Sequence, residues 1–175
     1  ILVVNANNAM ELGFLEEPEY AHIKSVLWVP GVGQEGLYAL GDIVRGNVNP
    51  SGRLADTFAY DSLSAPSNAN LGSYSLTGTN ITDAYNKASS YMVYGESVYV
   101  GYKYYETRYE DYVLGQGNVG TYDYAQAVQY PFGYGLSYTT YEYSNASVEK
   151  DGAKIVVGAD VKNVGARDGE EVVQL

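Results

Sequence analysis

The sequence predicts an α/β fold: a partial doubly wound, mostly parallel sheet followed by the first strands of a β-sandwich. Three observations carry this reading. Two unbroken apolar runs, Ile1–Val4 and Val26–Val29, end in Asn5 and in Pro30-Gly31, the pattern of parallel strands covered on both faces. Beyond that Pro-Gly turn, Gln34–Arg45 repeats Leu37, Leu40 and Val44 at helical spacing, and strand–turn–helix is the unit of a doubly wound sheet. After Thr140 the chain changes to short apolar runs separated by Lys150-Asp151-Gly152 and Asn163-Val164-Gly165, which is how a β-sandwich begins.

In chain order, Ile1–Asn5 is the first expected strand, and Glu16, Glu17, Pro18 and Glu19 mark a solvated loop or helix start. Ile23–Val29 is the second strand. The helix Gln34–Arg45 has Glu35 in its first turn and Arg45 in its last, each matching the dipole, with Gly46 as a left-handed cap. Asn47–Arg53 is a turn shaped by Pro50 and Gly52. Leu54–Phe58 is expected as a further strand of the same sheet, with Leu37, Leu40 and Val44 buried on its face. Asp61 to about Ser90 reads as a long loop. In Tyr91–Tyr109, Val98, Val100, Tyr102 and Tyr104 alternate, which predicts a strand packed on both sides. Gly115–Tyr124 is a second loop. In Pro131–Tyr138, the residues Phe132, Tyr134, Leu136 and Tyr138 are expected to be buried against Tyr91–Tyr105. Strands are then expected at Ala146–Val148, Lys154–Val161 and Glu171–Leu175. The domain boundary falls near Tyr143–Asn145, giving segments 1–143 and 144–175.

Composition narrows the partners. A net charge of −11 repels phosphate backbones and argues against nucleic acid, leaving a neutral or cationic ligand. No stretch nears the ~20 apolar residues that span a bilayer, so no membrane partner is evident. Cys is absent and His22 is the one histidine, so neither a disulfide framework nor a His/Cys metal site is expected. Both ends lie inside apolar runs, whereas domain boundaries fall in polar or Gly/Pro-rich linkers, so a piece of a longer protein is expected. The 20 Tyr against 3 Phe suit strand packing, and equally stacking on sugars.

Few residues offer chemistry. Glu35 opens a helix at the carboxyl end of a strand, where open α/β sheets bind ligands. A carboxylate there is more simply a dipole partner or cap, and the dipole would lower its pKa when a general acid needs it raised. Glu106, Arg108, Glu110 and Asp111 form a charged cluster that reads as a solvated loop. Asn80-Ile81-Thr82 and Asn145-Ala146-Ser147 have the glycosylation-acceptor pattern, which matters only in a secretory eukaryotic context.

Five blocks, in order, resemble glycoside hydrolase family 3. Trp28–Gly36 is similar to the family's W-x-P-G-Q-E-G-G turn, interrupted by Val32-Gly33. Gly46–Leu54 is similar to G-D-x-N-P-S-G-R-L, with Asn47 for Asp. Gly95–Tyr105 resembles E-G-I-Y-V-G-Y-R-Y-Y, Pro131–Thr140 matches P-F-G-Y-G-L-S-Y-T-T, and Glu170–Leu175 resembles G-x-E-V-V-Q-L. The resemblance implies the later half of an α/β sandwich domain at 1–143 and the start of a fibronectin-type-III-like domain at 144–175. It also implies a (β/α)₈ barrel bearing a nucleophilic Asp, and an acid/base Glu earlier in the sandwich domain.

Neither of those segments matches this chain, so no catalytic residue is carried onto it, no substrate-binding residue is assigned, and no cofactor is expected. The intact protein is expected to hydrolyse terminal non-reducing β-glycosidic bonds with retention, most simply as a β-glucosidase, with the barrel of the same chain as partner. A β-xylosidase or related exo-glycosidase is the alternative within the class. A non-catalytic carbohydrate-binding or scaffold protein is the alternative outside it.

Overall fold

The computed structural model describes residues 1–72, 74, 75, 90–117 and 119–174. The elements are β1 (Leu2–Val4), β2 (Val26–Trp28), α1 (Gly36–Arg45), β3 (Phe58–Ala59), α2 (Pro66–Ala69), β4 (Tyr74–Ser75), β5 (Ser90–Tyr91), α3 (Tyr102–Leu114), α4 (Tyr124–Ala127), β6 (Val128–Tyr130), β7 (Tyr141–Asp151) and β8 (Lys154–Asn163). They divide into two compact units, Ile1–Pro30 with Ala55–Phe132, and Gly31–Leu54 with Gly133–Leu175.

In the first unit β1 and β2 pair in parallel, Leu2 opposite Val26 and Val4 opposite Trp28, as the apolar runs predict. Val29 N–H donates to Val4 O at 2.9 Å and carries the pairing one residue further. Trp28 Nε1 donates to Ala6 O at 2.7 Å, which pins the loop after β1 to the neighbouring strand. The expectation that both strands are fully covered is corrected: Val4 is buried, but Ile1 and Val3 are exposed.

Leu54–Phe58 does not join this sheet. Only Phe58 is in a strand, and β3 pairs antiparallel with β6, Phe58 opposite Tyr130. The cause is local, since Thr57 N–H is taken by the Asp56 carboxylate at 2.8 Å and cannot enter a ladder. Phe58 is 1% exposed and meets Trp28 edge-on at 5.5 Å and Tyr130 at 6.4 Å. Beside it Ala59, Ala65, Tyr105 and Val128 form a core, flanked by Tyr104, Tyr124 and Ala127.

The predicted strand through Tyr91–Tyr109 is corrected: only Tyr91 lies in a strand, Val98 and Val100 lie in none, and Tyr102 opens the helix α3. The alternation of Tyr102 with Tyr104 hid a second spacing, Tyr102, Tyr105, Tyr109 and Tyr112, at the three- and four-residue steps of a helix. Gly101, at φ 57°, turns the chain into the helix, and Gly115, at φ 65°, ends it. There Gln116 N–H reaches Asp111 O and Gly115 N–H reaches Tyr112 O, the two bonds of a Schellman cap. The expected long loop contains a short 3-10 turn at Ser62–Ser64, α2 and β4. The remainder of it, including Asn80-Ile81-Thr82, lies outside the described residues.

In the second unit α1 starts at Gly36, two residues later than predicted and with Glu35 before its first turn, and its Gly46 cap is as predicted. Gly46 adopts φ 77°, with Asn47 N–H on Asp42 O and Gly46 N–H on Ile43 O, both at 2.9 Å. The burial expectation is corrected: Leu40 is half-buried, but Leu37 is 57% and Val44 48% exposed. The period is helical, and the apolar stripe lies open.

β7 and β8 form one long antiparallel hairpin in place of two short strands, with a bulge between Ser144 and Ser147 and Asn145 at φ 51°. The third expected strand is absent, because the described residues 171–174 pair with no other strand. Leu175 lies outside the described residues. The burial expected of the Pro131–Tyr138 turn is also corrected. Phe132 stacks on Tyr102 at 4.2 Å within the first unit, yet Phe132, Tyr134 and Tyr138 are exposed and Leu136 is 72% exposed. Its glycines admit neighbouring groups instead of burying the side chains between them.

Candidate functional site

The sequence candidates fall in different units, His22 and the Glu106, Arg108, Glu110 and Asp111 group in the first, Glu35 and Asn145 in the second. Glu35 occupies the N-cap position of α1 but makes no capping hydrogen bond, and it is exposed. His22 is exposed, with Nδ1 3.0 Å from Glu19 O. Asn145 sits on the β7 bulge and donates to Asp160 Oδ2 at 2.7 Å. Glu106, Arg108, Glu110 and Asp111 lie on α3 rather than in a loop.

On that helix the charges serve the aromatic packing. Arg108 donates to the Tyr104 hydroxyl at 2.5 Å and lies 4.5 Å from the centre of the Tyr122 ring. Glu106 accepts from the Tyr124 hydroxyl at 2.5 Å. Burial first, then the Glu106 hydrogen bond, holds the Tyr124 phenol well above its ordinary range. Burial pushes Tyr122 up to about 12, against the opposing charge of Arg108. Both phenols therefore keep their protons near neutral pH and offer no base.

Three of the motif blocks meet in the second unit, around Asn49. Its Oδ1 accepts from Ser137 Oγ at 2.9 Å and from Tyr138 N–H at 2.7 Å, while its Nδ2 donates to Asp168 O at 2.9 Å. Arg53 pairs with Glu171 Oε2, and Tyr143 donates to Glu171 Oε1 at 2.8 Å. Leu54 N–H donates to Tyr134 O at 2.8 Å, and Gly133 N–H to Leu54 O at 2.7 Å. A Cβ on Gly133 would overlap the Gln174 amide, and one on Gly135 would overlap Gly52 O. Close approach, as well as turn geometry, thus accounts for Gly in this run. The sequence reading took Asn49 for a turn former and missed its role as a hub.

The Gly95–Tyr105 block lies in the first unit. Ser97, where the family pattern has Gly, sits at φ 54°, a left-handed conformation that costs a residue with a Cβ. Gly101 has the Asp56 carboxylate against its Cα, where a Cβ would stand 2.6 Å from Oδ1. Asp56 thereby places negative charge at the N-terminus of α3. Glu96 is buried and accepts from Asn70 Nδ2 at 3.0 Å. Met10, Asp56, Thr57, Asn68, Gly101 and Tyr105 line a cavity of ≈ 110 Å³, below the roughly 300 Å³ at which ligand pockets begin.

Several carboxylates are engaged in structure. Glu11 accepts from Ser62 Oγ and N–H, which holds its pKa below the usual range. Glu16 accepts from Tyr60 at 2.5 Å, and Glu106 and Glu171 accept as described above. Among the described residues no three His, Cys, Asp or Glu side chains are grouped to hold a metal. No described helix is long and apolar enough to cross a membrane.

Known proteins resemble this chain throughout its length. A β-glucosidase of Ruminococcus albus is 32% identical over 177 aligned residues, covering 100% of this chain and 15% of that protein. An exo-α-(1→6)-L-arabinopyranosidase of Bifidobacterium longum is 36% identical over 82% of this chain and 15% of that protein. Among solved structures, β-glucosidase 3B of Thermotoga neapolitana, in complex with α-D-glucose, superposes with a TM-score of 0.65 at 30% identity, covering 94% of this chain and 19% of that one. The chain therefore spans under a fifth of the length of these relatives. The family model described as the glycosyl hydrolase family 3 C-terminal domain matches residues 1–138, and this chain belongs to that family.

Proposed function

We propose that the protein carrying this chain hydrolyses terminal, non-reducing β-glycosidic bonds with retention of configuration, as a β-glucosidase. The observation that carries the reading is the match of the whole chain to a β-glucosidase, joined by the motif blocks in family order. Retaining hydrolysis needs two carboxyl groups ~5–5.5 Å apart, one attacking the anomeric carbon and one protonating the leaving oxygen. The resemblance assigns both to segments outside this chain. Glu11, Glu16, Glu106 and Glu171, bound to Ser62, Tyr60, Tyr124 and Arg53, fit a supporting role. The reading also takes residues 1–143 as the later half of the α/β sandwich domain and 144–175 as the start of a fibronectin-type-III-like domain. The family match ending at 138 and the long hairpin opening at Tyr141 support that division.

A second reading has a specific observation behind it. The arabinopyranosidase relative is 36% identical, so the intact protein acting on a pentopyranoside is a live alternative sugar class. The product of the complete reading frame, assayed on p-nitrophenyl β-D-glucoside, β-D-xyloside and α-L-arabinopyranoside, separates the two. The glucoside is expected to turn over fastest, with β-glucose as the first-formed anomer by NMR. Release of α-glucose first would contradict retention, and a faster arabinopyranoside would contradict the sugar.

A further inference from the structure

The cavity of ≈ 110 Å³ at the start of α3 has a polar lining of one chemical kind. Asp56, Thr57, Ser62, Ser67, Asn68 and Tyr105 bring oxygen-bearing side chains, and no Lys, Arg or His lines it. All of the lining residues belong to the first unit. Two of these groups are left incomplete by the protein's own contacts. Thr57 is 5% exposed and its N–H donates to Asp56 Oδ1 at 2.8 Å, but its hydroxyl is buried with no hydrogen-bond partner among the described residues. Asp56 accepts that one bond and has no ion-pair partner, since Arg53 with Glu171 is the only salt bridge among the described residues. Negative charge is felt at the neighbouring phenol too. Burial first, opposed by the Ser64 hydrogen bond and reinforced by Asp61 and Asp56, raises the Tyr105 hydroxyl above its ordinary range.

A guest in this place has to satisfy a carboxylate and a hydroxyl together. An anion is repelled by Asp56 and finds no basic side chain in the lining. A sugar ring is too large, since ligand pockets begin at roughly 300 Å³. A cation offsets the charge of Asp56 and takes the Thr57 oxygen as a ligand, and hard oxygen donors suit alkali and alkaline-earth ions. Charge decides between those two. Divalent ions are held by several carboxylates, and among the described residues no three His, Cys, Asp or Glu are grouped. We propose that the cavity is a site for a monovalent alkali cation, with the Asp56 carboxylate and Thr57 Oγ1 as protein ligands and water completing its shell. One water takes about 30 Å³ of liquid, so there is room for the ion with a small part of its hydration shell. The bound ion ties residues 56–59, where Phe58 anchors the core, to Gly101 at the start of α3.

Hydrogen exchange in the product of the complete reading frame reads this site without recourse to activity, because a ligand that binds only the closed form lowers the population of the open one. At constant ionic strength, replacing choline chloride by KCl should slow exchange across residues 56–59 by about tenfold once potassium is near ten times its Kd. Asp56→Asn removes the charge and Thr57→Val the hydroxyl, each at nearly constant shape, and each should lose most of that potassium dependence. Crystals of the parent protein soaked in RbCl should show an anomalous peak in contact with Asp56 and Thr57, a reading that needs no variant to fold. Equal exchange in the two salts, a potassium effect that survives in Asp56→Asn, or water alone beside Asp56 in the rubidium-soaked crystals would each overturn the proposal.

Discussion

The two units are held by different physics. Every described residue that is fully buried, from Val4 to Val128, belongs to the first unit, where Phe58, Tyr105 and Tyr122 pack among other rings. In the second unit none is fully buried, and Asn49, Arg53, Glu171 and a set of tight glycines do the holding. Apolar burial is non-directional and tolerates substitution of similar volume, whereas hydrogen-bond hubs demand one residue at one angle. That difference explains why the most literal motif matches, Asn49–Leu54 and Pro131–Thr140, are turns with little burial.

The largest expected effect is in the first unit. Phe58→Ala removes the most buried large side chain, and it should cost about 3–5 kcal/mol in chemical denaturation. A loss below about 1 kcal/mol would mean that the ring cluster around Trp28 and Tyr130 is not the core.

Next comes the hub of the second unit. Asn49→Ala removes three hydrogen bonds and should cost about 1–3 kcal/mol, whereas Asn49→Asp keeps the acceptor but loses the donor to Asp168. If both variants match the parent in denaturant midpoint, polar clasping does not hold that unit.

A pH scan reads the raised phenols, Tyr122 and Tyr124 in the first unit and Tyr143 in the second. Tyr122 has an ordinary pKa when unfolded and about 12 when folded. The folded state therefore holds a proton that the unfolded chain gives up, and stability is lost as pH rises from about 10 toward 12. The Tyr122 hydroxyl is buried without a hydrogen-bond partner among the described residues, so Tyr122→Phe should lessen that loss at little cost near neutral pH, with Tyr124 still contributing to it. A thermal scan in which the variant falls as steeply as the parent above pH 10 would reject this origin.

Smaller still, Ser97→Gly relieves the left-handed backbone and should stabilise by about 1 kcal/mol, the rare case in which adding glycine helps. Leu37→Ala on the open face of α1 should change stability by only about 0.5 kcal/mol. A cost of several kcal/mol there would show that the stripe is covered after all.

What was legible in the sequence follows the same division. The parallel pair β1–β2, the helix α1 and its Gly46 cap rest on local period and backbone preference, and they are where the residues put them. Tyr102–Leu114 was misread because tyrosines at two-residue and at three- and four-residue steps coexist there, and Gly101 decided between them. Leu54–Phe58 was misplaced because one side chain, Asp56, took the amide that a strand would need. Leu37 and Val44 show the limit of periodicity: it gives the apolar face of a helix but not whether anything lies on it. The hub at Asn49 was out of reach, since its partners are about 90 to 120 residues away and nothing in a turn sequence announces them.

The most direct test of the functional account sets this chain beside the product of its complete reading frame on p-nitrophenyl β-D-glucoside. The complete protein should turn the substrate over, and the chain of 175 residues should be indistinguishable from a boiled control. Steady turnover by the purified chain would contradict the claim that its carboxylates serve structure, and an inert complete protein would contradict the proposed hydrolysis.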